Sequence, residues 1–107
     1  MKIACKKNGG GNIPTAVYTY GSATRITTFN ITDETAENII IFVAGINKNH
    51  QALSFTNAEV IEEFNHMEFS SNYVSRSQAS YYIRRTAPGT ITVSGLREVE
   101  FVSAIKI

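Results

Sequence analysis

The side chains best suited to acid–base or metal chemistry in this sequence are its two histidines, His50 and His66. They lie sixteen residues apart, and the sequence has no third histidine. A protein metal site normally needs three or four converging ligands, and Asp33 is the only aspartate that could supply one. His66 and Glu68 would share a face on a strand, but we interpret both histidines as surface residues. The sequence therefore predicts no metal site and no catalytic histidine.

The other reactive side chains also lack the partners that catalysis requires. Glu98 and Glu100 alternate with apolar residues, as on the solvent face of an amphipathic strand. Glu62 and Glu63 are adjacent, but nothing in their sequence surroundings indicates an acid catalyst. Cys5 is the single cysteine, so it cannot form a disulfide within the chain, and no base is close to it in sequence. We predict that the protein is not an enzyme and carries no cofactor.

The sequence gives little support for a nucleic-acid partner. The glycines at 9–11 are followed by Asn12, not by the lysine and hydroxyl residue of a phosphate-binding loop. Tyr82 and Arg84 offer the aromatic and basic mixture of single-strand binders, but Tyr81 is predicted to be a core residue. The net charge is only +1, and no wider basic stripe is present. Nucleic-acid binding is therefore not expected.

A carbohydrate-binding module is the alternative that the residues leave open. Tyrosine rings can stack on sugars, and asparagine amides can bond their hydroxyl groups. The residues that could do so are Tyr18, Tyr20, Tyr73, Tyr82, Asn47, Asn49 and Asn72. Tryptophan, the commonest stacking residue in such sites, is absent from the sequence.

Length and composition indicate one domain. The chain has 107 residues, of which 43% are hydrophobic and only 18% are charged, and a chain of this size can bury an adequate core without a staple. Serine, threonine, asparagine and glycine supply much of the polar surface. The longest apolar run, residues 39–46, is far too short to span a membrane, and no signal-peptide core is present. We expect synthesis in a host cytosol and no membrane partner.

Short alternating segments separated by turn residues predict strands along most of the chain. Gly21 is predicted to end the first strand, and residues 95–97 to form a turn between the last two. Residues 39–44 do not alternate, which is typical of a central strand buried on both faces. In the last strand, Val99 is predicted to share one face with the alternate residues Phe101, Ser103, Ile105 and Ile107.

Two segments remain open: residues 32–38 form a turn or one short helix, and Glu59–Phe64 fits a helix or a strand. The predicted fold is all-β: a single antiparallel β-sandwich, jelly-roll-like, with at most one short helix. It would comprise residues 13–107, preceded by a basic, glycine-ended arm at residues 1–12.

Three segments together resemble small β-sandwich domains of tailed-phage virion proteins and related bacterial surface proteins. They are residues 37–45 (ENIIIFVAG), residues 80–93, in which a tyrosine-containing strand leads into an Ala-Pro-Gly turn and a Thr-Ile-Thr-Val strand, and residues 99–107 (VEFVSAIKI). The resemblance covers about the last two-thirds of the chain. It implies a virion accessory protein with a capsid decoration, auxiliary, head-fibre or tail-associated role, and no catalytic residues carry over.

The resemblance implies a chain that docks on other virion proteins, capsid or tail subunits, and is located in the virion. A homo-oligomer is expected, with a trimer as one form. The arm and the loops at 47–51 and 72–78 are predicted to carry the contacts, because loops at the ends of a sandwich usually do so. The predicted partner-binding residues are Lys2, Lys6, Lys7, Asn47, Lys48, Asn49, His50, Asn72, Tyr73, Arg76, Tyr82 and Arg84.

Overall fold

The computed structural model describes residues 14–46, 53–70 and 75–107. These residues form six strands, β1 (Thr15–Ile31), β2 (Asn38–Ile46), β3 (Ser54–Phe55), β4 (Ala58–Ser70), β5 (Ser75–Arg85) and β6 (Ile91–Lys106). The described part of the chain contains no helix. The predicted arm at residues 1–12, the loop at 47–51 and residues 72–74 of the predicted loop at 72–78 lie outside the described residues. Residues 75–78 belong to β5, so the prediction of a loop there is wrong.

All six strands belong to one antiparallel sheet with the order β1-β6-β2-β5-β4, and β3 pairs with β6 beside β2. The all-β class is thereby confirmed. A sandwich of two separate sheets is not shown, because hydrogen bonds connect every strand to the same sheet. Glu59–Phe64, which the sequence left open, is part of β4. The segment before β2 is a hydrogen-bonded turn.

The sheet bends strongly enough to enclose a core against its own concave side. Tyr18 and Phe29 both belong to β1 and are eleven residues apart, yet their rings stack with centroids 4.6 Å apart. A straight strand of that length would separate them by about 36 Å. The pairing of β1 with β6 shifts register on both sides of Ile26, so the bend lies in this region. The predicted end of the strand at Gly21 is therefore wrong, because β1 continues through the bend to Ile31.

The core consists of side chains from one face of the sheet, contributed by β1, β2, β5 and β6. Its fully buried large members are Ile31, Ile39, Ile41, Val43, Ile83, Ile91, Val93, Val99 and Val102. Ile91 and Val93 point inward as the alternation predicts. Burial of such branched side chains contributes about 1.5–3 kcal/mol each relative to exposure, so this face supplies most of the stabilisation.

The prediction for β6 is wrong in two respects. Residues 95–97 do not separate two strands, because β6 runs unbroken from Ile91 to Lys106. Its core face also changes parity: Val99 is buried, but the next buried residue is Val102. Val99 pairs with Gly45 and Phe101 pairs with Ala44, which leaves one extra β6 residue between the two pairs. This β-bulge turns Phe101, Ser103 and Ile105 to the opposite face of the sheet.

Gly45 makes this bulge possible. A Cβ atom at Gly45 would lie 2.3 Å from the carbonyl oxygen of Glu98 and 2.8 Å from Cα of Val99. No side chain fits at these distances, so the close approach of β2 to β6 requires glycine here.

Polar contacts fix the turn between β1 and β2 to the end of β5. The Arg85 guanidinium donates hydrogen bonds to the backbone carbonyls of Asp33, Ala36, Ala87 and Gly89. The last two acceptors belong to the predicted Ala-Pro-Gly turn, where Gly89 has a φ of 109° that suits glycine. One arginine therefore connects two turns that are distant in sequence.

Asp33 is held by a hydrogen-bonded ion pair on the other side of the same turn. Lys106 Nζ lies 2.7 Å from Asp33 Oδ2, and the backbone N–H and hydroxyl of Thr35 donate to Asp33 Oδ1. The hydrogen bonds from Lys106 and then Thr35 hold the pKa of the Asp33 carboxyl well below its usual range. The ion pair joins the end of β6 to the turn that precedes β2.

Candidate interaction surface

The face of the sheet opposite the core is called the outer face here, and it is also rich in apolar side chains. Ile40 of β2 pairs with Tyr82 of β5 and with Ile105 of β6, which places the three on this face. Phe42 contacts Phe101 edge-to-face, with ring centroids 5.9 Å apart. The prediction that residues 39–44 are buried on both faces is therefore wrong, because Ile40 and Phe42 are only partly buried.

Several large apolar side chains of the outer face are about half exposed. The exposed fractions are 46% for Met67, 52% for Phe69, 45% for Phe101 and 49% for Ile107. Single exposed apolar residues are ordinary, but a group of them on one face of a sheet is typical of an interaction surface. These residues were not among the predicted contacts, because apolar alternation along a strand predicts a core face.

Two shallow cavities lie on the outer face. One of about 420 Å³ is lined by Ile40, Glu62, Phe64, Tyr82 and Ile107. The other, of about 290 Å³, lies towards the opposite end of the strands and includes Ala44, Phe69, Gln78 and Phe101 in its lining. Both cavities are open and mostly apolar, so they are suited to receive side chains from a partner.

Three of the predicted partner-binding residues, Arg76, Tyr82 and Arg84, lie on the outer face. They are alternate residues of β5, whose intervening residues Tyr81 and Ile83 are buried in the core. The structure therefore confirms that Tyr81 faces inward and Tyr82 outward. The alternation of β5 alone is enough to bring the three predicted residues to one face.

Each of these three side chains has a partner within the chain. Arg76 Nη1 lies 3.0 Å from Glu100 Oε1, and Arg84 Nη2 lies 3.2 Å from Glu59 Oε2. The Tyr82 hydroxyl donates to Asn38 Oδ1 at 2.8 Å. Because the two ion pairs are exposed, their contribution to stability is small, about 0–1 kcal/mol each. Of these residues, Arg76 and Glu100 line the smaller cavity and Tyr82 lines the larger one.

The other predicted contacts cannot be placed on this surface. They lie outside the described residues and are Lys2, Lys6, Lys7, Asn47, Lys48, Asn49, His50, Asn72 and Tyr73. Of the tyrosines proposed for glycan stacking, Tyr18 and Tyr20 pack against the core, whereas Tyr82 is on the outer face. These three tyrosines therefore do not form a common stacking platform.

His66 and Glu68, which the sequence places on one face of a strand, lie close together on β4. His66 Nε2 lies 3.1 Å from Glu68 Oε2, and both side chains are about one-third exposed. Among the described residues, no group of three or more histidine, cysteine, aspartate and glutamate side chains is positioned to hold a metal ion. The pair has the character of an exposed surface contact.

Among the described residues, one buried side-chain polar atom has no hydrogen-bond partner. The Tyr81 hydroxyl is buried and makes no hydrogen bond. Burial, and to a smaller extent the nearby charge of Glu63, raises the pKa of Tyr81 to about 12. The neutral phenol is therefore strongly favoured inside the sheet.

Comparison with known protein families, curated proteins and solved structures finds no match for this chain. The described residues include no helix that is long and apolar enough to cross a membrane.

Proposed function

We propose that this chain is a non-enzymatic virion accessory protein that docks on a capsid or tail lattice through its outer face. The proposal starts from the sequence resemblance to virion β-domains. The observation that carries it further is the group of half-exposed apolar residues, Met67, Phe69, Phe101 and Ile107, on one face of the sheet.

Docking would remove this apolar surface from water, which favours the bound state. Removing apolar surface from water contributes about 25 cal/mol per Å², and the rings of Phe69 and Phe101 present much of the exposed apolar area. The Arg76–Glu100 ion pair lines the smaller cavity, and Glu62 and Tyr82 line the larger one. An apolar centre with a polar rim is the usual arrangement of a protein–protein interface.

The first test of the proposal is the protein composition of purified virions. Virions purified from the organism that encodes the chain should contain it in stoichiometric amounts, as measured by quantitative mass spectrometry. Its absence from purified virions would contradict the proposal.

Particles from a strain in which the gene is deleted then test the docking face. The wild-type chain should bind them saturably, and Phe69→Ser should bind at least about tenfold more weakly, equivalent to about 1.4 kcal/mol. Val60→Ser is the matched control, because Val60 is 43% exposed but pairs with the core residue Ile83. Equal losses for both variants would argue against the outer face as the contact surface.

A homo-oligomer belongs to the same proposal. We expect the full chain to elute in size-exclusion chromatography with light scattering at a multiple of its 11.8 kDa mass. The glycan-binding alternative predicts saturable binding to a glycan array, which the virion proposal does not require.

A further inference from the structure

β4 is an edge of the sheet, and its second side has no strand partner among the described residues. Exposed edges offer unpaired backbone groups that another extended chain can join. Register shifts at Ile61 and at Asn65–His66 interrupt β4, and Asn65 has a positive φ of 55°. The regular stretch between the two interruptions is Glu62–Phe64.

This stretch has a defined chemical character. Glu62 pairs with Tyr82 on the outer face, whereas Glu63 pairs with Tyr81 and points to the other side of the sheet. Phe64 follows on the outer face and lines the 420 Å³ cavity together with Ile40 and Glu62. β4 contains four glutamates and neither lysine nor arginine, and neither Glu62 nor Glu63 forms an ion pair with a described residue.

We propose that an extended segment of a partner protein adds to β4 along Glu62–Phe64, and that this segment carries two adjacent basic residues next to an apolar one. The basic side chains would alternate between the two faces and meet Glu62 and Glu63. The apolar side chain would enter the cavity beside Phe64. This inference rests on the proposed function, because it takes the partner to be a subunit of the lattice.

Charge decides between this occupant and a second copy of β4. Antiparallel pairing of two β4 edges would set Glu62 and Glu63 of one copy against the same glutamates of the other, and like charges directly opposite one another destabilise a strand pair. A basic segment replaces this repulsion by charge-assisted contacts and gains backbone hydrogen bonds as well.

The test measures binding of short fluorescent peptides to the full chain by anisotropy. One peptide places a Val-Lys-Lys sequence among threonines, in the order that antiparallel pairing with Glu62–Phe64 requires, and the control peptide places Val-Glu-Glu in the same positions. We expect saturable binding of the lysine peptide only, weakened by added salt because the contacts are charged and exposed. Equal binding of both peptides, or binding of neither, would overturn the proposal.

Variants of the chain locate the site. The double variant Glu62→Gln/Glu63→Gln should weaken binding of the lysine peptide about tenfold, or about 1.4 kcal/mol, with an unchanged urea midpoint. The double variant Glu34→Gln/Glu37→Gln removes the same charge at the turn before β2, outside the lining of the 420 Å³ cavity, and should leave binding unchanged. If it weakened binding as much, the effect would be one of net charge and the proposal would be wrong.

A further variant, Phe64→Ala, tests the apolar contact. It should weaken binding of the lysine peptide without changing the salt dependence of that binding. If the chain docks on particles but does not bind the lysine peptide, the proposed role of the β4 edge is wrong and the proposed function stands. Absence of the chain from virions would refute the proposed function but not the peptide result.

Discussion

The two faces of the sheet are built from similar residues but have different surroundings. On the core face, Ile41 and Ile83 are fully buried in one cluster that also contains side chains from the bent strands β1 and β6. On the outer face, Ile40 is partly buried and Phe101 is 45% exposed, because no described element of the chain covers them. Apolar composition alone therefore does not identify the core of this protein. The bend of the strands decides which apolar face is closed.

The largest difference between the faces should appear when one large side chain is removed from each. Ile41→Ala should lower the free energy of unfolding by about 2–5 kcal/mol, because it leaves a cavity in a fully packed core. Phe101→Ala removes a larger side chain but should cost about 1 kcal/mol or less, since almost half of that side chain is already in water. Urea unfolding of both variants measures the two values. Comparable losses would mean that the outer face is a second core.

The next largest effect on stability concerns the β-bulge of β6, after which the alternate residues that face the core change from odd to even numbers. Gly45→Ala should destabilise the chain by about 1–3 kcal/mol, because the new Cβ would meet the backbone of Glu98 at 2.3 Å. Gly21→Ala is the matched control on β1, since its Cβ would have only an ordinary 3.7 Å contact with Phe101. Thermal or urea unfolding of the pair gives the comparison. A stable Gly45→Ala variant would show that the two strands can separate at the bulge without loss.

Local alternation predicts a face correctly where a strand is regular and fails where it is bulged. β5 is regular, so the inward Tyr81 and the outward Tyr82 and Arg84 follow from the sequence alone. In β6 the same rule fails at Leu96, which is buried out of step with Val93, and again beyond Val99, where one extra residue reverses the later side chains. A sequence does not show such a bulge unless its pairing partner is known.

The order of the strands and the bend of β1 depend on contacts between distant residues, so they also escape sequence reasoning. The outer apolar surface was missed for the same reason. A signal was present, because apolar residues of β6 occur at both parities: Val102 and Ala104 on one, Phe101 and Ile105 on the other. Of the candidate contacts, only Arg76, Tyr82 and Arg84 can be assessed on the described structure.

The smallest expected effect comes from two adjacent tyrosines that point to opposite faces. Tyr81→Phe should stabilise the chain by about 1 kcal/mol at neutral pH, because it removes a buried hydroxyl that has no hydrogen bond. Tyr82→Phe should destabilise it by about 0.5–1.5 kcal/mol, because it removes the bond to Asn38. The two substitutions delete the same atom, so the opposite signs would isolate the effect of the face.

The pH dependence sharpens this comparison. The pKa of Tyr81 is raised to about 12 in the folded chain, whereas an unfolded tyrosine titrates near 10. Between these values the unfolded chain releases the proton first, so the wild-type chain loses stability as the pH rises. One pKa unit corresponds to about 1.4 kcal/mol, so the advantage of Tyr81→Phe should grow by about that amount between pH 9 and pH 11. Urea midpoints across this range measure it, and a constant difference would show that Tyr81 is accessible to water in the folded chain.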